Sequence, residues 1–198
     1  PWIVITFKDK TFSIFSLSST NDSLDVLYNW NSLSSPVSHT DLILAATAFQ
    51  SGTDVYVVTG SWDKTVRFWK FSWTKKESSY GWKLTPAEGN SHGEGSVTIC
   101  REHKKSVTAM ASHVFAVPEM LEEEQTGYSS HHISKVMVTG SLDKTLIVWD
   151  LETCQVIRKL HGHSNQVLCV HIYDTKMNGL PPLIISSGKD KRLIFWSL

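Results

Sequence analysis

Apolar and polar residues alternate with a period of two in short runs along this chain, and sustained helical periodicity is nearly absent. Thr65 to Trp69 reads TVRFW and Thr145 to Trp149 reads TLIVW. Both are rich in β-branched and aromatic residues, which suit a pleated, half-buried surface. Another strand-like run precedes each, VYVVTG ending at Gly60 and VMVTG ending at Gly140. The connections between the runs are short and polar, SWDK (Ser61 to Lys64) and SLDK (Ser141 to Lys144). Strand, tight turn, strand predicts a β-hairpin. One stretch departs from the β pattern. PEMLEEEQ, Pro118 to Gln125, sets good helix formers after a proline and is read as a loop insertion with one helical turn.

The hairpins are copies of one phrase. VTGSWDKTVRFW (Val58 to Trp69) returns as VTGSLDKTLIVW (Val138 to Trp149) and, more loosely, as ISSGKDKRLIFW (Ile185 to Trp196). A degenerate copy, IVITFKDKTFSIF (Ile3 to Phe15), keeps the Asp-Lys-Thr turn, loses the Gly-Ser and has Phe15 in place of Trp. A His-led segment precedes each of the other three: HTDLILAATA from His39, HKKSVTAMAS from His103 and HSNQVLCVHI from His163. The turn aspartates, Asp9, Asp63, Asp143 and Asp190, are unevenly spaced, so the connecting loops must vary in length. Phe71 to Gly95 and Ala116 to Ser134 are the two insertions expected, and SVTICR (Ser96 to Arg101) is expected to be an outer strand. Repeats of this kind stack because no single unit buries its own apolar face.

Charge narrows the function. Lys plus Arg and Asp plus Glu are both 19, a formal net charge of zero over 198 residues. That argues against a broad electrostatic nucleic-acid binder. Cys100, Cys154 and Cys169 are odd in number and widely spaced, which suggests reduced thiols in an intracellular setting. No apolar run approaches the length of a membrane span. The chain has no initiator Met and opens in mid-pattern, so a piece of a longer protein is expected.

Enzymatic constellations do not assemble. His161 to His163 (HGH) with Cys154 and Cys169 lack the short paired spacing of a zinc site, and no metal is expected. The Asp and His pairs recur in every full copy, which fits holding the repeat together better than catalysis. No G-x-S-x-G, H-E-x-x-H or P-loop pattern is present. Lys189 to Arg192 (KDKR) reads as a solvated turn, and Glu122 to Glu124 as solvated surface. The expectation is a protein that is not an enzyme and needs no cofactor.

His, strand, TGSxDKT, strand, Trp, Asp: this order resembles the WD40 repeat family. GHSNQV (Gly162 to Val167) and VWDLET (Val148 to Thr153) carry its two signature dipeptides. The resemblance implies an all-β fold, a β-propeller of four-stranded blades around a central channel. About three full blades and a partial N-terminal one are expected, as part of a larger, seven-bladed ring and not as a small closed one. The partial blade would span about 1–31. The next would span 39–101 with insertion 71–95, then 103–160 with insertion 116–134, then 163–198 without an outer strand.

The family's structural tetrad would be His39, Thr59, Asp63 and Trp69 in the first full repeat. It would be His103, Thr139, Asp143 and Trp149 in the second, and His163, Ser186, Asp190 and Trp196 in the third. Each Asp would accept from the His ring, the ring would bond the hydroxyl, and the hydroxyl would take the indole N–H. There are departures. Only His163 follows a Gly, since Ser38 precedes His39 and Glu102 precedes His103. Lys70 and Ser197 replace the Asp after Trp69 and Trp196, and the Asp9 copy shows no tetrad.

The resemblance also implies partner binding on the narrow top face. The matching positions are Leu42, Leu44 and Trp62; Ser106, Thr108 and Leu142; Gln166, Leu168 and Lys189. Leu42, Leu44, Trp62 and Leu142 are apolar on a rim that should face water. Trp62 in particular suits an interface anchor, unless an insertion of the same chain covers it. The function implied is a non-catalytic interaction scaffold of an intracellular multiprotein complex, cytoplasmic or nuclear with the cytoplasm preferred. It would bind a partner peptide or domain mainly through that face. The alternative is a regulatory or targeting domain of a larger protein, either a ubiquitin-ligase substrate receptor or a BEACH-type trafficking protein. Glu152 stands where receptors that dock a cullin adaptor want Arg or Lys, and the trafficking reading rests only on the insertion after Trp69. RNA binding would need more than Lys189 and Trp62.

Overall fold

A computed structural model describes residues 2–17, 24–30, 37–75, 82–86, 97–114, 135–174 and 182–198. The described residues form four antiparallel sheets and no helix. Sheet one holds β1 (Trp2–Thr6), β2 (Phe12–Leu17) and β3 (Leu24–Trp30) in that order. Sheet two orders β4 (Ile43–Ser51), β5 (Asp54–Ser61), β6 (Val66–Lys75) and β7 (Trp82–Pro86), with β8 (Val97–Cys100) also on β6. Sheet three runs β9 (Val107–Val114), β10 (Lys135–Ser141), β11 (Thr145–Asp150), β12 (Val156–His161). Sheet four runs β13 (Val167–Tyr173), β14 (Leu183–Gly188), β15 (Leu193–Ser197).

One turn chemistry builds all four hairpins. The turn lysines Lys10, Lys64, Lys144 and Lys191 adopt φ of 72°, 71°, 75° and 62°, a left-handed geometry that non-glycine residues seldom take. The preceding aspartate supports it by accepting from the backbone N–H two residues on. Those distances are 3.1 Å at Asp9, 2.9 Å at Asp63, 3.0 Å at Asp143 and 3.2 Å at Asp190. The degenerate Asp9 copy therefore makes the same turn as the others.

Alternation then fills the seams between sheets. Phe12, Ile14 and Trp30 of sheet one meet Ile43, Val55, Val57, Trp69 and Phe71 of sheet two. The opposite face of sheet two sends Phe49, Val58, Val66 and Phe68 against Val107, Met137, Ile147 and Trp149 of sheet three. Sheet three in turn sends Val138, Leu146 and Val148 against Val167, Val170, Ile172 and Ile184 of sheet four. Two glycines permit this stacking. A Cβ on Gly60 would lie 2.6 Å from Val107 Cγ1, and one on Gly140 would lie 2.6 Å from Val167 Cγ1. Ser187 holds the matching position in sheet four, whose far flank carries no further sheet among the described residues.

That flank is apolar. Leu193 and Phe195 are 60 % and 58 % exposed, whereas Val66, Phe68, Leu146 and Val148 at the same repeat positions are buried by the next sheet.

One sequence expectation changes. The span 71–95, read from its turn formers as a loop, contains the far half of β6 and all of β7, paired from Phe71↔Pro86 to Lys75↔Trp82. FSWTK and WKLTP alternate aromatic or aliphatic with polar residues, which suits a ladder despite the turn formers between them. The expected outer strand in SVTICR is β8, which pairs with the near half of β6 from Val66↔Cys100 to Trp69↔Val97. The helical turn read in Pro118 to Gln125 and the insertion 116–134 lie outside the described residues. No helix among the described residues is long and apolar enough to cross a membrane.

Candidate functional site

The His, Thr/Ser, Asp and Trp of each full repeat meet at one end of their sheet. The His stands just before the inner strand, the hydroxyl on the middle strand, the Asp in the turn and the Trp on the third strand. Register explains the meeting. Thr59 pairs with Arg67 and Val57 with Trp69, so hydroxyl and indole lie on one face, offset by two residues. In sheet two, Trp69 Nε1 donates to Thr59 Oγ1 at 2.8 Å, and His39 bonds Thr59 and Asp63, both at 2.7 Å. In sheet three the matching distances are 2.9, 2.8 and 3.0 Å for Trp149, His103 and Asp143 around Thr139. In sheet four they are all 2.9 Å for Trp196, His163 and Asp190 around Ser186. The backbone N–H groups of Thr40, Lys104 and Ser164 donate to the same carboxylates at 3.1, 2.8 and 2.9 Å.

The indole N–H only donates, so it sets the direction of each chain. The hydroxyl accepts from Trp and gives its own proton to the ring Nε2, leaving the Nδ1 proton for the Asp. For His39 this assignment agrees with its titration. Burial pushes the ring below its ordinary value, against the pull of Asp63, and the ring is neutral at pH 7. Burial alone would raise the three turn carboxyls. Hydrogen bonds from His39, His103 and His163, joined by backbone and hydroxyl donors, outweigh it. They hold Asp63 and Asp143 well below the usual carboxylate range and Asp190 at about 2.

A hydroxyl beside a His–Asp pair has the composition of a nucleophile triad. Its environment differs. The hydroxyl oxygen is taken by an indole N–H, and the three histidines are buried. Every polar atom of the set is used inward, and the result ties four segments of chain together. Among the described residues no group of three His, Cys, Asp or Glu is placed to hold a metal.

Sequence reading missed Arg67. It is buried, at a position where the sister strands have Ile147 and Ile194. Its Nε donates to Thr65 Oγ1 at 3.2 Å, its Nη2 lies 3.4 Å from Asp63, and its Nη1 bonds the Val37 carbonyl. Its signal was present in the alternation, which sets residue 67 on the inward face with Thr65 and Trp69.

The expected top-face positions gather at the same end. Trp62 N donates to Leu42 O at 2.9 Å, Leu142 N to Ser106 O at 3.0 Å, and Lys189 N to Gln166 O at 2.8 Å. Each turn is thus tied to the entrance of its own inner strand. Leu44, Thr108 and Leu168 are each the extra residue where inner-strand register slips, between Ile43 and Ala45, opposite Gly140/Ser141, and between Val167 and Cys169. Such bulges re-aim a side chain. Leu44 and Leu168 are exposed as a result. Thr108 differs, because its hydroxyl turns into the seam and donates to Val167 O at 2.7 Å and Gly140 O at 3.2 Å. Trp62 is 47 % exposed and no described segment covers it. Ser106 Oγ reaches the Trp62 carbonyl at 3.5 Å, joining the rims of sheets two and three.

Known proteins share this architecture. The chain is 29% identical over 96 residues to the WD repeat-containing protein pop1 of Schizosaccharomyces pombe, covering 39% of this chain and 12% of that one. It is 23% identical over 203 residues to the small ribosomal subunit protein RACK1 of Drosophila melanogaster, covering 99% of this chain and 60% of that one. The chain therefore spans less than two thirds of these relatives. Among solved structures, U3-55K superposes with a TM-score of 0.60 at 15% identity, over all of this chain and 45% of its own. The computationally designed Ika4 protein gives 0.53 at 20% identity, over all of this chain and 85% of its own. These likenesses establish the propeller fold. The family model for the WD domain, G-beta repeat, matches residues 30–70, 123–150 and 154–197. His103 and β9 fall outside its blocks, although the structure sets β9 in one sheet with β10 and β11 and bonds His103 to Thr139 of β10. More than half of the chain is matched, and the protein belongs to the WD40 repeat family.

Proposed function

We propose that this chain is a non-catalytic protein-interaction scaffold that takes a partner peptide or domain on the turn end of its sheets. The observation that carries the reading is the exposure of Trp62. An indole left half exposed at a turn, outside every buried hydrogen-bonded set, fits the aromatic anchor of an interface. Leu44 and Leu168, turned out by bulges at the same end, extend the apolar surface. Free thiols at Cys100, Cys154 and Cys169 support an intracellular location. The ubiquitin-ligase and trafficking alternatives gain nothing from the structure, and Glu152 is engaged by Lys135 at 2.6 Å.

The test is affinity capture from cells with the wild type, Trp62→Ala and Lys70→Ala, the last at the opposite end. Trp62→Ala is expected to lose partners that Lys70→Ala keeps, with melting of both variants near that of the wild type. Identical partner sets for all three proteins would overturn the reading.

A further inference from the structure

We propose that the turn end binds an acidic protein segment, whose carboxylates meet a rim of lysines and whose apolar side chains settle on Leu44, Trp62 and Leu168. The inference rests on the scaffold reading and adds the chemistry of the partner.

The chain is neutral overall, but its charges are not evenly placed. Lys10, Lys64, Lys144 and Lys191 sit in the four turns, where the shared left-handed geometry presents them at this end. These four belong to the repeat. Further cations do not recur from copy to copy: Lys104 and Lys105 before β9, and Lys189 and Arg192 on the last turn, all exposed. None of these eight forms an ion pair among the described residues.

Three of the carboxylates at the same end are withdrawn, while Asp9 stays exposed in the first turn and Asp41 is half-buried. Asp63, Asp143 and Asp190 turn inward with side chains only 4 %, 8 % and 3 % exposed, and His and backbone donors occupy them. Glu102 is paired with Lys159 at 2.7 Å. The surface a partner meets is therefore ammonium-rich, with exposed apolar side chains on sheets two and four among the lysines. The opposite end is balanced differently. There Lys70 is matched by Asp54 at 2.9 Å and Lys135 by Glu152 at 2.6 Å. Opposed surface potentials of this kind steer and orient a charged partner.

An acidic polypeptide fits better than a nucleic acid. Phosphate recognition favours the planar fork of Arg, and this rim is mostly Lys. Base stacking wants a run of aromatic faces, whereas two of the three apolar anchors are leucines. A zero net charge also lacks the excess that polyanion binding draws on.

The experiment measures fluorescence anisotropy of a short labelled peptide in which Asp and Glu alternate with Leu and Phe. The same peptide with Ser or with Lys in the acidic places, and a poly-uridine oligonucleotide, serve as comparisons. The acidic peptide is expected to bind tightest and to weaken as salt rises. Lys104→Glu/Lys189→Glu and, separately, Trp62→Ala are each expected to weaken it about tenfold without changing the melting temperature. The inference is overturned if the Ser or Lys peptide binds as tightly as the acidic one. It is also overturned if the charge-reversed variant binds unchanged, or if poly-uridine displaces the acidic peptide. A Ser or Lys peptide that binds and is lost with Trp62→Ala would remove the acidic preference and leave the scaffold reading standing. If no peptide responds to Trp62→Ala and capture from cells is also unaltered, both fall.

Discussion

The Trp149 indole N–H donates to the Thr139 hydroxyl at 2.9 Å, across two adjacent strands and ten residues of chain. The same oxygen is 2.8 Å from His103 Nε2, so one hydroxyl satisfies two buried groups. Trp149→Ala should destabilise by about 3–5 kcal/mol, since a fully buried indole leaves a cavity at a seam. Thr139→Val keeps the shape and orphans both partners, at roughly 2–4 kcal/mol. Thr139→Ser, the residue that Ser186 supplies in sheet four, should stay within about 1 kcal/mol of wild type. Urea unfolding of the three variants checks the series, and a Val variant as stable as the Ser variant would refute the shared hydroxyl.

Gly140→Ala tests the packing between sheets. Its Cβ would meet Val167 Cγ1 at 2.6 Å and Val170 Cγ2 at 3.1 Å, both stiff β-branched side chains. Overpacking of this kind should cost about 1–3 kcal/mol. Ser187→Ala in sheet four should be near neutral, because its flank is open. Equal thermal shifts for the two would contradict the stacking.

Acid should weaken the fold in two stages. His39 titrates below its unfolded value of 6.5, so the unfolded chain takes the extra proton. Its contribution is complete above pH 6.5 and is lost as pH falls toward the depressed folded value. Asp63 and Asp143 lie well below the ordinary 3.8, and Asp190 at about 2, so their contribution is complete above 3.8 and lost below it. Denaturant midpoints should therefore be flat from pH 8 to 7, fall below 6.5, and fall more steeply below 4. A midpoint that rises between pH 7 and 5 would count against the neutral His39.

Leu193 and Phe195 form an exposed apolar flank on an edge strand. Such edges invite further sheet. The chain by itself should associate with rising concentration, and Leu193→Lys/Phe195→Lys should return it to monomer in sedimentation velocity. A wild type that stays monomeric throughout would remove this role from the flank.

The repeat makes much of this molecule legible in its sequence. A turn Asp, a hydroxyl four residues before it and a Trp six after it recur because a hairpin's register puts them on one face. Spacing within a hairpin is local, so the family resemblance could set Thr59 with Trp69 and Thr139 with Trp149. His39 was harder, since its partners lie on other strands and LILAATAF alternates weakly. Arg67 was missed because a charged residue in a strand reads as solvent-facing until its partners, Asp63 and the Val37 carbonyl, are in view.

The sequence alone carried the all-β class and the four turns, because those depend on short-range spacing, and the family resemblance supplied the His, hydroxyl, Asp and Trp of each buried set, though not Arg67. What lies between and around the sheets came from how they pack. The tertiary structure placed β7 on the extension of β6, turned Thr108 into a seam while leaving Leu44 and Leu168 outside, and exposed Leu193 where Leu146 is buried. Burial at a seam depends on which sheet comes next, and no pattern within one repeat carries that information.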